Sequence, residues 1–541
     1  MRKTFAVLAA AALLSGAASM SVPASASADR PEGLPGHFKH LVVIYEENHS
    51  FDNLYGGWGS VAGEQVDDLT TVPPTAATQV AQDGTPYSCL KQVDVNLTSP
   101  VPLPATCTDP NPLVGPSHFG NEPFLIDDYI RPTDTTCPAP GSSPRNGVRN
   151  GFGLPGGCTR DLVHRFYQNQ YQIDGGRQDR YVTGSDAVGL SMGRYDTTQL
   201  PIYRYLHAHG APHYVVADHF FQAAFGGSFL NHQWLIAART PYVDPTGTIP
   251  EGRLPARSSV VDQAGMPVND YPLYQTTEPV VDGEKTVACA DPATDDYQDA
   301  CGNYAVNTTQ PAVPPYAAGA GARFMPLIDD AAYPNIGDRM SAKDISWAWY
   351  SGKWDDANAG LPVPVFQYHH QPFNYFAAYA PGQPGRAHLR DESEFLTAVE
   401  NGTLPTVSFV KPYGTENEHP GYASEPNGSD RLVDLLKAVT EGPQAGNTLV
   451  VVTYDEFGGQ WDHVPPPAAG APAGTTDVWG PGTRIPALLV ARSLTRSGVD
   501  HTVYDTTSIL ATIERSFGLE PLSTRDAAVN DLSNAVHVGG R

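Results

Sequence analysis

Two stretches of the chain run from apolar residues straight into carboxylates. In "LVVIYEENHSFDN", Val42 to Tyr45 leads into Glu46, Glu47, Asn48, His49, Ser50 and Asp52. In "LVVVTYDEFGGQWDHVPPP", an apolar run to Tyr454 leads into Asp455 and Glu456, and Asp462-His463 follow a Gly-Gly turn. Carboxylates brought together without compensation repel and raise each other's pKa, and a divalent cation removes that conflict. Oxygen ligands suit one hard ion, with Ca²⁺, Mg²⁺ or Mn²⁺ favoured. Neighbouring residues on an extended strand point oppositely, so Glu46 and Glu47 cannot both face one site. At the turn beyond, Glu47 and Asn48 can offer oxygens to one cation. The plainer alternative is a helix start, with Ser50 or Asn48 as the cap and the acids favouring the N-terminus.

A third stretch, "FFQAAFGGSFLNHQW", places Gly226-Gly227 before Ser228. Two glycines permit a sharp turn and a close approach of substrate to backbone. Ser228 is a candidate nucleophile, activated by metal contact rather than by a histidine; alternatively it caps a helix opening at Phe229. It is no G-x-S-x-G elbow, because position 230 is Leu. The last group is His164, His369, His370 and His419, all among polar or aromatic residues. With 17 histidines in the chain, any one taken singly is more often structural, but as a set near a phosphate, imidazoles donate hydrogen bonds and serve as general acids.

These groups need strands to hold them. Apolar runs predict strands at Leu41 to Tyr45, His213 to Ala217, Thr406 to Val410, Thr448 to Tyr454 and Ile485 to Val490. Helical patterns at Gln199 to His209, Glu392 to Glu400 and Asp430 to Val439 alternate with them. That alternation predicts an α/β sandwich over a mostly parallel sheet, whose ligands sit outside the carboxyl ends of the strands. Residues 60–160 and 240–330, rich in Pro, Gly, Thr and Asp, break the pattern and hold all six cysteines; they are expected to be disulfide-tied insertions.

The 541 residues carry a formal charge of −25, which excludes general binding to nucleic acid or an anionic membrane surface. Residues 1–28 read as a Sec-type signal peptide, with Arg2 and Lys3, an apolar run and Ala26-Ser27-Ala28 as the cleavage site. No later run of about 20 apolar residues offers a membrane anchor, so the product is expected to be secreted, with residues 29–541 as a single catalytic domain. In an exported chain, six cysteines in close sequential couples predict Cys89–Cys107, Cys137–Cys158 and Cys289–Cys301. Oligomeric state has no signal in the sequence.

Taken in order, Glu47-Asn48-His49-Ser50-Phe51-Asp52 and the block from Asp455 through Pro467 resemble the bacterial phosphoesterase family of acid phosphatases and non-specific phospholipases C. The likeness spans roughly residues 38 to 535 and is closer to the acid-phosphatase branch, since phospholipase members commonly place threonine where Ser228 stands. The resemblance implies an alkaline-phosphatase-like α/β/α fold and metal-assisted phosphoester hydrolysis. It implies Glu47, Asn48, Asp455, Glu456 and Ser228 as metal ligands, Ser228 as nucleophile, and His164, His370 and His419 around the phosphoryl oxygens. His369 competes with His370. His164 is chosen over His118 because relatives place a histidine eleven residues before a Gly-Gly pair, here Gly175-Gly176. The expected reaction is phosphomonoester hydrolysis through a phosphoserine, with an acidic optimum. A phospholipase C acting on phosphatidylcholine is the alternative, and it needs an apolar entrance, such as Phe220, Phe221, Phe225, Phe229 and Phe373. A metal-stabilised binding protein without catalysis is a third reading, against which the intact Ser228 argues.

Overall fold

The computed structural model describes residues 33–92, 103–112, 114–137, 154–185, 188–240, 289–290, 297–298, 327–468 and 470–541. The leader expected at residues 1–28 lies outside them. Pro31–Arg541 forms one unit, built on an eight-stranded sheet. In chain order its strands are β1 (His40–Glu46), β2 (His213–Ala217), β3 (Trp347–Ser351), β4 (Leu389–Asp391), β5 (Val407–Lys411), β6 (Thr448–Tyr454), β7 (Ala487–Ala491) and β8 (Gly498–Asp500). Their spatial order is β4-β3-β5-β1-β6-β7-β2-β8. β1 lies parallel between β5 and β6, with Val43 opposite both Phe409 and Val451. Within this sheet β7 alone runs against its neighbours, β6 and β2. The carboxyl ends of β1, β6, β2 and β8 therefore all lie at one end of the sheet.

Leu41 to Ile44 of β1 and Leu449 to Val452 of β6 are fully buried. An unbroken apolar run is what a parallel strand covered on both faces requires. The helices that cover it fall into two sets. Glu425–Glu441 packs against Pro201–Leu206 and Glu392–Glu400, whereas Ser228–Ala237 packs against Thr507–Phe517. These sets are the outer layers of an α/β/α sandwich, as the alternation of elements predicts.

The apolar-run reading misses β3, β4 and β8. β3 is "WAWYS", aromatic and ending polar, while β4 and β8 are three residues each, too short to show a period. The helix expected over Gln199 to His209 is also corrected: a 3-10 turn at Thr197–Gln199 precedes a helix that starts at Pro201, where the fixed φ of proline favours the first helical position. Of the insertions, the first is held by two-residue ladders such as Cys89–Leu90 with Phe119–Gly120 and by the expected disulfides Cys89–Cys107 and Cys137–Cys158. Cys301, and with it the third pairing, lies outside the described residues. Among those residues no helix is long and apolar enough to cross a membrane.

One core residue makes the fold sensitive to pH. Glu514, on Thr507–Phe517, is buried, and that burial, with the Asp526 carboxylate beside it, pushes its carboxyl up to about 9. The folded state holds this proton while the unfolded chain releases it near 4.5. The stability it contributes is thus full below the unfolded value and is lost as pH rises toward the folded one. Glu514→Gln, which keeps the neutral shape, is expected to raise Tm at pH about 8 and leave it unchanged at pH about 4; equal shifts at both pH values in thermal melts would refute this.

Candidate active site

The register of β1 with β6 pairs Glu46 with Tyr454, so the residues that follow, Glu47 and Asp455, emerge side by side. Asn48 turns the chain away at φ 54°, and its N–H donates to Asp455 Oδ1 at 3.1 Å. Closing this junction needs a glycine at 458: a Cβ there would stand 2.2 Å from the Asn48 carbonyl oxygen. Gly458 N–H in turn donates to Glu456 Oε2 at 2.6 Å. On the facing side, Gly226 has φ 89°, and a Cβ on it would meet the Phe166 nitrogen at 2.4 Å. That close approach brings the turn before Ser228 into place.

Ser228 is the first residue of Ser228–Ala237, and Gly227, not Ser228, holds the cap position. The serine hydroxyl points instead into the carboxylate cluster: Oγ is 3.4 Å from Glu47 Oε2, 3.4 Å from Asn48 Oδ1 and 3.2 Å from Glu456 Oε1. The helix-capping alternative for Ser228 is therefore set aside. A helix N-terminus beside this hydroxyl favours an anionic group.

The histidines surround the same point. Asn48 Nδ2 lies 3.3 Å from His164 Nε2 and 3.1 Å from His419 Nε2, and His164 Nε2 lies 3.1 Å from Glu456 Oε1. His370 Nε2 is 2.8 Å from Glu47 Oε1, whereas His369 Nε2 is 4.0 Å from it, which puts His370 in the closer contact. His118 is elsewhere, with its Nδ1 on the Pro104 carbonyl and its ring edge-on to Phe119 and Tyr129.

Two further residues escape the sequence reading. Lys411 ends β5 fully buried, with Nζ 2.6 Å from Glu47 Oε1 and 3.1 Å from the Glu46 carbonyl oxygen. The signal that could have found it is the one used for Glu47 and Asp455: a charged residue closing an apolar strand. His232 lies one turn beyond Ser228, with Nδ1 bonded to the Ser228 carbonyl at 2.9 Å and 3.6 Å from Asp455 Oδ2. Its i, i+4 spacing from Ser228 was the available clue.

Charge indicates what this cluster can hold. Burial raises Glu47, but the Lys411 ammonium and His370 hold it well below the usual carboxylate range. Asp455 and Glu456 go the other way: burial pushes each well up, aided by the charge of Glu47 on Asp455 and of Asp455 on Glu456. Burial also lowers His370, His369 and His232, and brings His419 down to about 3. Three buried carboxylates thus face a single ammonium and imidazoles that burial keeps neutral. Asp455 Oδ2 is buried without a hydrogen-bond partner. This donor set, all oxygen and with three carboxyl groups that repel one another when ionised, could hold a divalent ion through Glu47, Asn48, Ser228, Asp455 and Glu456.

The other polar residues of the two motifs serve the scaffold. Ser50 accepts from Asn53 N–H at the start of Phe51–Tyr55 and donates to the Trp461 carbonyl. Asp52 accepts from His463 Nδ1 at 2.7 Å and from Arg484 Nη2 at 3.0 Å, and Arg484 Nε donates to Asp462 Oδ1 at 2.9 Å. The two motifs are thereby locked to each other. Glu46 is buried away from Ser228, its carboxyl pushed well up by burial and the nearby Glu418.

Comparison with known proteins finds relatives among phosphoester hydrolases. Phospholipase C B of Mycobacterium tuberculosis is 24% identical over 98% of this chain and 85% of its own length. The non-hemolytic phospholipase C of Burkholderia pseudomallei is 29% identical over 34% of this chain and 29% of its own. Among solved structures, a protein of the alkaline phosphatase superfamily from Vibrio parahaemolyticus matches 37% of this chain and 50% of its own, at 14% identity and a TM-score of 0.23. The model of the phosphoesterase family matches residues 38–520, and the chain belongs to that family of phosphoester hydrolases.

Proposed function

We propose that this hydrolase acts on phosphomonoesters through a phosphoserine at Ser228 and works best in acid. The observation that carries the reading is the Ser228 hydroxyl, set within 3.4 Å of Glu47, Asn48 and Glu456 at the start of a helix. A bound divalent ion supplies Lewis acidity there, offsetting phosphoryl charge and favouring the serine alkoxide. Ser228 Oγ, its proton released to solvent, forms the bond to phosphorus as the ester P–O bond breaks, and the departing alcohol takes a proton from His370 or His419, which solvent restores. Water then cleaves the phosphoserine, releasing inorganic phosphate and restoring the hydroxyl. Lys411 fixes the orientation of Glu47, and Asn48 Nδ2 orients the imidazoles of His164 and His419.

The phospholipase C alternative has support in the name of the Mycobacterium tuberculosis relative. Against it, Phe220, Phe221, Phe229 and Phe373 are at most 2% exposed and belong to the core, which leaves Phe225, partly buried, as the one of the five aromatics that reaches solvent. Export fits the disulfides Cys89–Cys107 and Cys137–Cys158, bonds that persist in oxidising surroundings.

Parallel assays on p-nitrophenyl phosphate and phosphatidylcholine vesicles, with divalent metal supplied, test the reading. Faster turnover of the monoester is expected. Burial holds His370 and His419 below the ordinary imidazole range, so their protonated fraction grows as pH falls, and kcat/KM should climb on the acid side. A flat or alkaline profile rules out imidazolium as the donor, preferential lipid cleavage favours the phospholipase reading, and inactivity on both substrates favours a binding protein.

A further inference from the structure

A second group of metal-ligating side chains lies at the same end of the sheet, beyond the antiparallel strand β7. Asp218 and His219 directly follow β2, and His501 directly follows β8; the register pairs Ala217 with Asp500, so both segments leave the sheet together. Asp218 Oδ1 is 3.3 Å from His219 Nδ1, and Asp218 Oδ2 is 2.9 Å from His501 Nδ1. One ligand atom from each of the three residues lies within 4.8 Å of the others. In a four-coordinate shell with bonds of about 2.0–2.1 Å, neighbouring ligand atoms stand roughly 3.3 Å apart.

What lies behind the imidazoles adds an independent argument. His219 turns Nδ1 to Asp218 while its Nε2 is 3.1 Å from Asp67 Oδ2. His501 repeats the pattern, its Nε2 lying 3.8 Å from Glu64 Oε1. A histidine that ligates a metal through one nitrogen and meets a carboxylate at the other has its tautomer fixed and its basicity raised. Asp67 is itself held: its other oxygen is 3.1 Å from His463 Nε2, and its carbonyl accepts from Arg484 Nη1 at 2.7 Å. His219 Nδ1 is buried and faces an Asp218 oxygen at 3.3 Å. Asp218 is fully buried while the His501 side chain is 47% exposed, which leaves a way in from solvent.

We propose that Asp218, His219 and His501 form a second metal site, apart from the Ser228 centre, for a borderline divalent ion of the Zn²⁺ type. Two imidazoles and a carboxylate select such an ion over the hard ions that suit the oxygen set around Ser228. Bound there, it ties residues 64–67, at the start of the first insertion, to the ends of β2 and β8 and contributes to stability rather than to turnover.

The test uses the full-length enzyme stripped with a chelator and titrated with Co²⁺ and Zn²⁺. Wild type should show the intense visible absorption of four-coordinate Co²⁺ and a rise in Tm with Zn²⁺. His501→Ala, at an exposed position that tolerates truncation, should lose that absorption, about one equivalent of bound Zn²⁺ per chain and the Tm rise, while keeping its rate on phosphate esters. His219→Asn gives a second arm, and Asp455→Asn should keep the absorption. The proposal is overturned if His501→Ala matches wild type in Co²⁺ spectrum and Zn²⁺ stoichiometry, if only Asp455→Asn loses the Co²⁺ band, or if wild type binds neither ion, leaving the cluster a network of ion pairs.

Discussion

Ser228→Ala should lose at least about 10²- to 10⁴-fold in kcat, the range in which loss of an activated nucleophile or transition-state donor falls. The serine Oγ touches Glu47, Asn48 and Glu456 and makes no capping bond to its own helix, so truncation removes the attacking atom with little change to the scaffold. Metal should remain bound through the four other ligands, and Tm should stay close to wild type. The phosphoenzyme gives a second readout: labelled phosphate quenched in acid should be recovered on Ser228 in wild type and be absent from the variant. Retention of more than a few per cent of the rate, or label on another residue, would falsify the nucleophile assignment. A substantial fall in metal affinity would show instead that Ser228 acts mainly as a ligand.

Arg484→Met is expected to cause the largest loss of stability. The guanidinium is fully buried. It donates to Asp462 and Asp52 and to the carbonyls of Asp67 and Asp218, and it lies 4.2 Å from the centre of the Phe51 ring. Removing one partner of a buried ionic cluster strands the others, at a cost of about 3–5 kcal/mol. The deficit should depend on pH. Burial already lifts Asp462 to about 6 even with Arg484 present, and without Arg484 its folded-state pKa rises further. A raised folded-state value means stability lost as pH increases, so denaturant melts should show a larger deficit at pH about 8 than at about 5. Asp462→Asn added to the variant should recover part of it. A loss below about 1 kcal/mol would mean that water replaces the guanidinium.

The sequence by itself determined the ingredients and their order. β1 and β6 are buried on both faces, so their apolar runs are continuous and end abruptly where polar residues begin; Glu47, Asn48, Asp455 and Glu456 were legible for that reason. Ser228 and the four histidines were legible as types in a family pattern, although pattern alone could not choose His370 over His369 or dismiss the capping role of Ser228. Tertiary structure puts Gly227 at the cap position and His370 nearer Glu47 than His369, and these depend on distances between residues far apart in the chain. It decided also that Lys411 ends beside Glu47, since that follows from β5 pairing with β1, and pairing leaves no mark on a short apolar run. The antiparallel course of β7 was hidden for the same reason. Most of all, Asp462 and His463 share one sequence block with Asp455 and Glu456, yet they turn to Asp52 and Arg484. In an extended chain every carboxylate near a motif looks alike; only the fold, by burying some beside a guanidinium and others beside a hydroxyl, gives them different chemistry.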